Sequence, residues 1–146
     1  MGPGTGVAPM RAMIRERASI DVEGKSSDVS LYFGCRHRDK DFLYESEWNA
    51  RLENKTLSEL VTAFSRDQSS KIYVQTRLAQ NSKKIWDCIN APNGTIVIAG
   101  NSKMASDVRL ALIKIVKEQA KCSEKDATRL VKVLEQRRRI QTEAWS

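Results

Sequence analysis

The sequence predicts an α/β fold in which helices cover both faces of a parallel sheet. Short apolar runs of strand formers, clearest at 95–100, alternate with longer segments of helical periodicity. This alternation is typical of parallel sheets, because each strand needs a crossover, usually a helix, before the next parallel strand. A glycine-rich loop also stands directly before the first helix. In such folds, ligands bind beyond the carboxyl ends of the strands.

The glycine loop at 2–10 (GPGTGVAPM) is a candidate anion site. Its alternating glycines allow a sharp turn and a close backbone approach, and Pro9 suits the first turn of a helix. Free N–H groups at that helix start would hold an anion such as a pyrophosphate, although a plain strand-to-helix turn explains the spacing equally well. Because loops of this kind follow a strand, we expect the central strand of the sheet to lie upstream of Met1.

The rest of the chain continues the alternation. The other predicted strands lie at 29–35, 56–65, 95–100 and 139–143. The other predicted helices lie at 43–54, 76–90, 104–120 and, after an N-cap at Ser123, 124–137. The segment at 56–65 also fits a helix, and we choose a strand because of its flanks. Polar residues at 21–28 predict a connection, 71–75 a brief extended piece, and 91–94 a turn.

Composition indicates one globular domain that attracts anions. The 146 residues are 40% hydrophobic, 29% charged and carry a net charge of +7. A phosphorylated cofactor and an acidic partner explain that charge equally well, whereas the chain shows no nucleic-acid-binding motif. No apolar run suits a membrane span and no secretory leader is recognisable, so we expect no membrane partner and a cytoplasmic protein.

Cysteine and histidine are too few and too scattered to indicate metal or triad chemistry. Cys35, Cys88 and Cys122 are far apart and form no C-x-x-C pair, and His37 is the only histidine. We therefore predict neither a disulfide framework nor a metal site. We expect His37 to be solvated in a charged loop, and Cys35 and Cys88 to lie in the core.

Five motifs in order carry a family resemblance: GPGTGVAPM, LYFGCRHRDKDFLY, AFSRDQ with KIYVQ, IAGN with MASDV, and the terminal EAWS. Together they resemble the NADPH-binding C-terminal module of diflavin reductases, the family of NADPH–cytochrome reductase and the reductase domains of nitric oxide synthases. The resemblance covers nearly the whole chain. It implies a doubly wound sheet of the ferredoxin-reductase type, with 1–146 as the NADPH-binding module and the FMN and FAD domains outside the chain.

The resemblance also assigns cofactor-binding residues. It gives the adenosine half of NADPH, especially its 2′-phosphate, to Ser65, Arg66, Lys71, Tyr73 and Gln75, and it counts the neighbouring Ile72 and Val74 among the cofactor-binding residues. Without the resemblance, the segment 65–68 is an ordinary polar turn. It gives the pyrophosphate to the glycine loop, namely Gly4, Thr5 and Gly6. Arg36 is a further phosphate contact by this resemblance, or else a solvated charge. A guanidinium, an ammonium and hydroxyls suit the oxygens of a phosphate monoester.

Three residues of the C-terminal half are implied on the nicotinamide side. Asp107 contacts nicotinamide by the resemblance, although at helical spacing it could face water. Trp145 stacks on the FAD isoalloxazine in the family and must move aside for nicotinamide; the alternative is a packed or frayed tail. Glu143 would lie beside nicotinamide, where a carboxylate stabilises developing positive charge. We take Trp145 and Glu143 as the catalytic candidates.

The implied reaction is hydride transfer from NADPH to FAD, followed by electron transfer through FMN to an acceptor protein. Ala99-Gly100-Asn101 and Glu143 look more like the branch of NADPH-dependent diflavin oxidoreductases that supplies cytosolic iron–sulfur cluster assembly through anamorsin. The competing hypothesis is a non-catalytic basic domain that binds a partner or nucleic acid. NADPH should protect the first against thermal unfolding, whereas nucleic acid should bind the second with steep salt dependence.

Overall fold

The computed structural model describes residues 1–20 and 28–146, which form two compact units. The first unit is Met1–Val74 and the second is Gln75–Ser146. The connection predicted at 21–28 lies outside the described residues, apart from Asp28. Among the helices that are described, none combines the length and the apolar character needed to cross a membrane.

The first unit carries the glycine loop and one parallel pair of strands. A 3₁₀ turn at Gly4–Gly6 leads into the first helix. The helices are α1 (Val7–Ile20), α2 (Arg38–Asp41) and α3 (Glu45–Glu53), and the strands are β1 (Ser30–Cys35) and β2 (Glu59–Phe64). The two strands run parallel, with Ser30 opposite Glu59 and Cys35 opposite Phe64. Its fully buried large side chains include Leu31, Phe33, Trp48 and Leu57.

The second unit carries a second pair of parallel strands and two long amphipathic helices. Its elements are α4 (Val74–Gln80, starting at the boundary), α5 (Ser82–Asn90), β3 (Ile96–Asn101), α6 (Ser102–Ala120), α7 (Glu124–Gln136) and β4 (Ile140–Trp145). The strand β3 runs parallel to β4, from Ile96 opposite Ile140 to Asn101 opposite Trp145. The apolar stripes of α6 and α7 are buried, including Val108, Leu112, Val116 and Val131.

The structure confirms the alternation of strands and helices and the parallel pairing. The described strands nevertheless form two sheets of two strands, and not one sheet, because β1 pairs with β2 and β3 pairs with β4. The N-cap predicted at Ser123 is confirmed, since its hydroxyl accepts a hydrogen bond from the Asp126 amide at 3.1 Å. The turn at 91–94 is also confirmed by a hydrogen bond from the Gly94 amide to the Ala91 carbonyl.

Several predicted boundaries were wrong. The helix predicted at 76–90 is two helices, because Asn81 interrupts it and its amide is shared between the carbonyls of Arg77 and Leu78. The extended piece predicted at 71–75 ends at Tyr73, since Val74 is buried and starts α4. The short helix α2 was not predicted. The last strand continues past 143 to Trp145.

A cluster of arginines around one carboxylate fixes α1 against α3. The Glu47 carboxylate accepts from Arg11 Nε at 2.6 Å and Arg15 Nε at 2.7 Å, both on α1. Arg51 lies 3.4 Å away on α3. The Arg15 hydrogen bond, helped by Arg11, lowers the Glu47 pKa from 4.5 to about 2, although burial acts in the opposite direction. This cluster holds the helix that follows the glycine loop.

We expect the Glu47 cluster to make the stability of the fold depend on pH. The pKa of Glu47 is lower in the folded state than in the unfolded state. Its contribution to the free energy of unfolding is therefore complete above pH 4.5 and is lost as the pH falls toward 2. In urea unfolding, wild type should therefore exceed Glu47→Gln in stability at about pH 6, and this difference should shrink at about pH 3. The control is Glu45→Gln, whose one ion pair is exposed. A difference that stays constant with pH would contradict the prediction.

Candidate functional site

The loops that follow β1 and β2 run side by side beyond the ends of the strands. The Ser65 amide donates to the Cys35 carbonyl at 2.9 Å, and the Arg66 amide donates to the Arg36 carbonyl at 2.9 Å. These two hydrogen bonds extend the parallel register past Phe64. Arg36 and Arg66 are therefore neighbours at the carboxyl edge of the sheet, where ligands bind in folds of this class.

Three cations in this region have no anionic partner. The side chains of Arg36, Arg66 and Lys71 are exposed and form neither an ion pair nor a hydrogen bond within the part of the chain that the structure describes. Nearby Arg38, in contrast, lies 3.3 Å from Glu45. Unpaired cations in loops that follow the carboxyl ends of strands attract an anionic ligand. Ser65, which is half-buried, adds a hydroxyl beside them.

The remaining predicted cofactor contacts of this segment differ in exposure. The Tyr73 side chain is 44% exposed and accessible to a ligand, whereas Val74 is buried. A Cβ built on Gly34 would lie 2.8 Å from Val74 Cγ2, so Val74 packs against β1. Only the backbone of Val74 could therefore contact a ligand. Ile72 is half-buried, and Gln75, also half-buried, is the first residue of the second unit.

The glycine loop presents backbone amides at the start of the first helix. Gly4 has φ of 57°, a conformation that favours glycine, and the Gly6 amide donates to the Pro3 carbonyl at 3.0 Å. A Cβ on Gly2 would lie 2.2 Å from the Gly6 carbonyl oxygen, so the loop is tight. The amides of Gly4 and Thr5 donate to no acceptor within the described residues, and Pro3 provides no side-chain cap. They can therefore bind an anion.

The second unit brings Glu143 and Trp145 to the carboxyl end of its sheet. Glu143 lies opposite Ala99 and Trp145 opposite Asn101, so the two side chains share one face of β4. The indole is 40% exposed, and the Ser102 hydroxyl donates to the Trp145 carbonyl at 3.3 Å. Trp145 is therefore part of a strand and not a frayed tail. Its exposed ring can stack on an aromatic ligand.

The start of α6 lies at the same end of this sheet. The Asn101 carboxamide accepts from the Met104 amide at 2.8 Å and so caps the helix. Asp107, one turn further, is half-buried. The structure thus gathers Asn101, Asp107, Glu143 and Trp145 in the second unit, while the predicted adenosine and pyrophosphate contacts up to Val74 belong to the first.

The side chains that connect the loops of Arg36 and Arg66 were not predicted from the sequence. His37 is not simply solvated, because its Nδ1 lies 3.1 Å from Asp67 Oδ1. Gln68 Nε2 donates to the carbonyls of Phe64 at 2.6 Å and Ser70 at 2.8 Å, which closes the turn. An acid directly after Arg66 was the available signal, but its partner lies 30 residues earlier.

Cys35 is inert in this setting. Burial, with smaller contributions from the charges of Asp41 and Asp67, raises the pKa of its thiol to about 11. A thiol with so high a pKa is a poor nucleophile at neutral pH. Cys35 and Cys88 are half-buried, so they are less enclosed than the predicted core positions.

These features suit a nucleotide ligand in an α/β module. The first unit carries the cations and free amides, and the second carries an indole and a carboxylate. Residues 1–110 match the family of oxidoreductase NAD-binding domains, and the chain belongs to this family. The resemblance to diflavin reductases is also confirmed. The whole chain is 45% identical to an NADPH–cytochrome reductase of Drosophila melanogaster and 45% identical to NADPH-dependent diflavin oxidoreductase 1 of Xenopus laevis.

A bacterial relative is more distant. Over 99% of the chain, identity to the NADPH sulfite reductase flavoprotein alpha-component of Vibrio parahaemolyticus is 39%. The chain spans only 22% of the length of the Drosophila relative, 24% of the Xenopus relative and 23% of the Vibrio relative. The similarity therefore concerns one part of larger reductases.

Proposed function

We propose that this chain is the NADPH-binding module of a diflavin reductase. The observation that carries the proposal is the unpaired state of Arg36, Arg66 and Lys71, within the described residues, in the loops that follow two parallel strands of a chain of the NAD-binding family. NADPH supplies the hydride, and FAD and FMN, held mostly outside this chain, pass the electrons to an acceptor protein. Family membership favours this hypothesis over a non-catalytic basic or nucleic-acid-binding domain.

The residues of the first unit suit the phosphates of NADPH. Arg66 and Lys71 would bind the 2′-phosphate, with hydroxyls from Ser65 and Tyr73 around the adenosine. The Gln75 amide, one residue past the end of this unit, would be a further adenosine contact. The free amides of Gly4 and Thr5, next to Gly6, would bind the pyrophosphate at the start of the helix. Arg36, adjacent to Arg66 through the backbone, would add a phosphate contact.

The residues of the second unit suit the nicotinamide side. Glu143 would stabilise the positive charge that develops on the ring, and the exposed Trp145 indole would cover the flavin and exclude water. Both lie on one face of β4, which supports a joint role. Asp107, half-buried on α6, would contact the nicotinamide amide.

We also propose a doubly wound sheet of the ferredoxin-reductase type, with a strand upstream of Met1 beside β1. The backbone supports this strand. The Cys35 carbonyl points to the β2 side, where it accepts from Ser65, so the Tyr32 carbonyl, three residues earlier, points to the opposite edge. The Gly2 amide donates to that carbonyl at 3.1 Å. The backbone that enters the glycine loop is therefore already hydrogen-bonded along the free edge of β1.

We propose that the acceptor protein is anamorsin and that the reductase acts in the cytoplasm, in cytosolic iron–sulfur cluster assembly. The support is the likeness of Ala99-Gly100-Asn101 and Glu143 to that branch of diflavin oxidoreductases. The test is reduction of purified anamorsin by the full reductase that contains this module. A rate no higher than that of electron transfer to an unrelated acceptor protein would contradict the proposal.

Arg66→Ala should weaken NADPH binding about 10- to 150-fold and leave NADH binding unchanged. The reason is that one charged hydrogen bond to the 2′-phosphate is worth about 1.5–3 kcal/mol, and NADH lacks this phosphate. Calorimetric titration of both nucleotides measures the difference. Arg38→Ala is the matched control, because Arg38 lies nearby but is paired with Glu45. Equal weakening for the two nucleotides would show that Arg66 does not contact the 2′-phosphate.

A further inference from the structure

One carboxylate connects the two loops that carry the cations of the first unit. Asp67 Oδ1 lies 3.1 Å from His37 Nδ1, and Asp67 Oδ2 accepts from the Arg38 amide at 3.1 Å. Asp67 directly follows Arg66, and His37 directly follows Arg36. The His37 amide is in turn held by Asp41 Oδ2 at 3.0 Å. Arg36 and Arg66 are thus each adjacent in sequence to a residue of the contact between Asp67 and His37 that joins the two loops.

This contact also keeps Arg66 free. An unengaged carboxylate beside Arg66 would compete with a phosphate for the guanidinium. Both oxygens of Asp67 are instead occupied by donors of the neighbouring loop, and Arg66 forms no ion pair within the described residues. These hydrogen bonds therefore direct the Asp67 carboxylate away from the adjacent Arg66 guanidinium. In an exposed turn, the two side chains could otherwise form an ion pair with each other.

We infer that Asp67 and His37 are a positioning pair for the 2′-phosphate: by bridging the two loops, they hold Arg66 and Arg36 ready for that anion. This inference rests on the proposed NADPH-binding function. It assigns a favourable role to a negative charge beside an anion site. That role is distinguishable, because a charge that acts only through the electric field would have the opposite effect on affinity.

The sign of the affinity change tests the inference. If Asp67 were only a nearby charge, its removal would tighten the binding of a phosphate, by up to about fivefold for an exposed charge. If Asp67 positions the arginines, its removal should weaken that binding about tenfold, comparable to the loss of part of one charged hydrogen bond. Asp39→Ala is the matched control, because Asp39 is an exposed acid of α2 with no hydrogen bond within the described residues.

The probes are adenosine 2′,5′-bisphosphate and adenosine 5′-monophosphate, titrated calorimetrically into the protein. Asp67→Ala should lose affinity for the bisphosphate and keep its affinity for the monophosphate, whereas Asp39→Ala should not lose affinity for either. Asp67→Asn retains an acceptor for the Arg38 amide and should restore most of the bisphosphate affinity. His37→Leu should weaken bisphosphate binding, while His37→Asn, which keeps a donor near the position of Nδ1, should not.

The outcomes separate this inference from the function on which it rests. If wild type does not prefer the bisphosphate, the NADPH-binding proposal and the positioning role are both wrong. If wild type prefers it and Asp67→Ala binds it equally or more tightly, only the positioning role is wrong. Circular-dichroism melting without ligand identifies a variant that has lost its fold. In that case the pair His37→Leu and His37→Asn decides, and equal affinities for these two variants would overturn the inference.

Discussion

Arg139→Ala should lower the free energy of unfolding by about 2–4 kcal/mol, although Arg139 lies outside the proposed nucleotide contacts. Its guanidinium donates to the Gly94 carbonyl through Nε at 2.9 Å and to three carbonyls through Nη2. Those three belong to Cys88 at 3.4 Å, Ile89 at 2.8 Å and Ala91 at 2.6 Å, at the end of α5. A cation at a helix carboxyl end also interacts favourably with the helix dipole.

The Arg139 backbone belongs to the same junction. Its carbonyl accepts from the Ile96 amide at 2.8 Å, and its amide donates to the Leu134 carbonyl at 2.8 Å. One residue therefore joins the end of α5, the start of β3 and the end of α7. We expect its loss to loosen the start of the β3–β4 pairing on which Glu143 and Trp145 depend.

Urea unfolding of Arg139→Ala and Arg137→Ala measures this effect. Arg137 is an exposed neighbour whose side chain forms no hydrogen bond within the described residues, so its removal should cost less than about 0.5 kcal/mol. Arg139→Lys should fall between wild type and Arg139→Ala, because an ammonium keeps the charge without the fork of donors. If Arg139→Ala is as stable as Arg137→Ala, water satisfies these carbonyls equally well.

Gly94→Ala should destabilise the fold by about 3 kcal/mol or more, through a steric clash with the backbone. A Cβ at this position would lie 1.8 Å from the Cys88 carbonyl oxygen and 2.8 Å from its carbon. A backbone carbonyl at the end of a helix cannot move aside as the tip of a side chain can. The turn would have to open, and the hydrogen bonds of Gly94 to Ala91 and Arg139 would be disturbed.

The comparison with Gly4→Ala separates this clash from the ordinary cost of replacing a glycine. A Cβ on Gly4 meets no atom within 4 Å, but φ of 57° disfavours alanine by about 1–2 kcal/mol. The Gly94 variant should therefore lose clearly more stability in the same urea titration. If the two losses are equal, the turn at 91–94 relaxes around a methyl group. Because Gly94 and Arg139 share one junction, the double variant should lose less than the sum of the single losses.

Much of the fold could be predicted because local patterns encode it. The apolar run at 95–100, the stripe of α6 and the cap at Ser123 each depend on residues a few positions apart, and all three are confirmed. The boundary errors at Asn81 and Val74 arose where a local preference met a tertiary contact. Propensity is too weak to fix a helix start when burial of one side chain, such as Val74, decides it.

The candidate site divides in the same way. The sequence by itself determined the family and the glycine loop before a helix. It also singled out the cations and the indole for which we propose nucleotide-binding roles. Only the tertiary structure placed Asp67 on His37, Glu47 among three arginines, and Arg139 on the carbonyls at the end of α5. The partners in these contacts are as far apart in sequence as the 50 residues between Ile89 and Arg139. A side chain that binds a distant carbonyl or carboxylate leaves no periodic pattern, so only the folded chain reveals it.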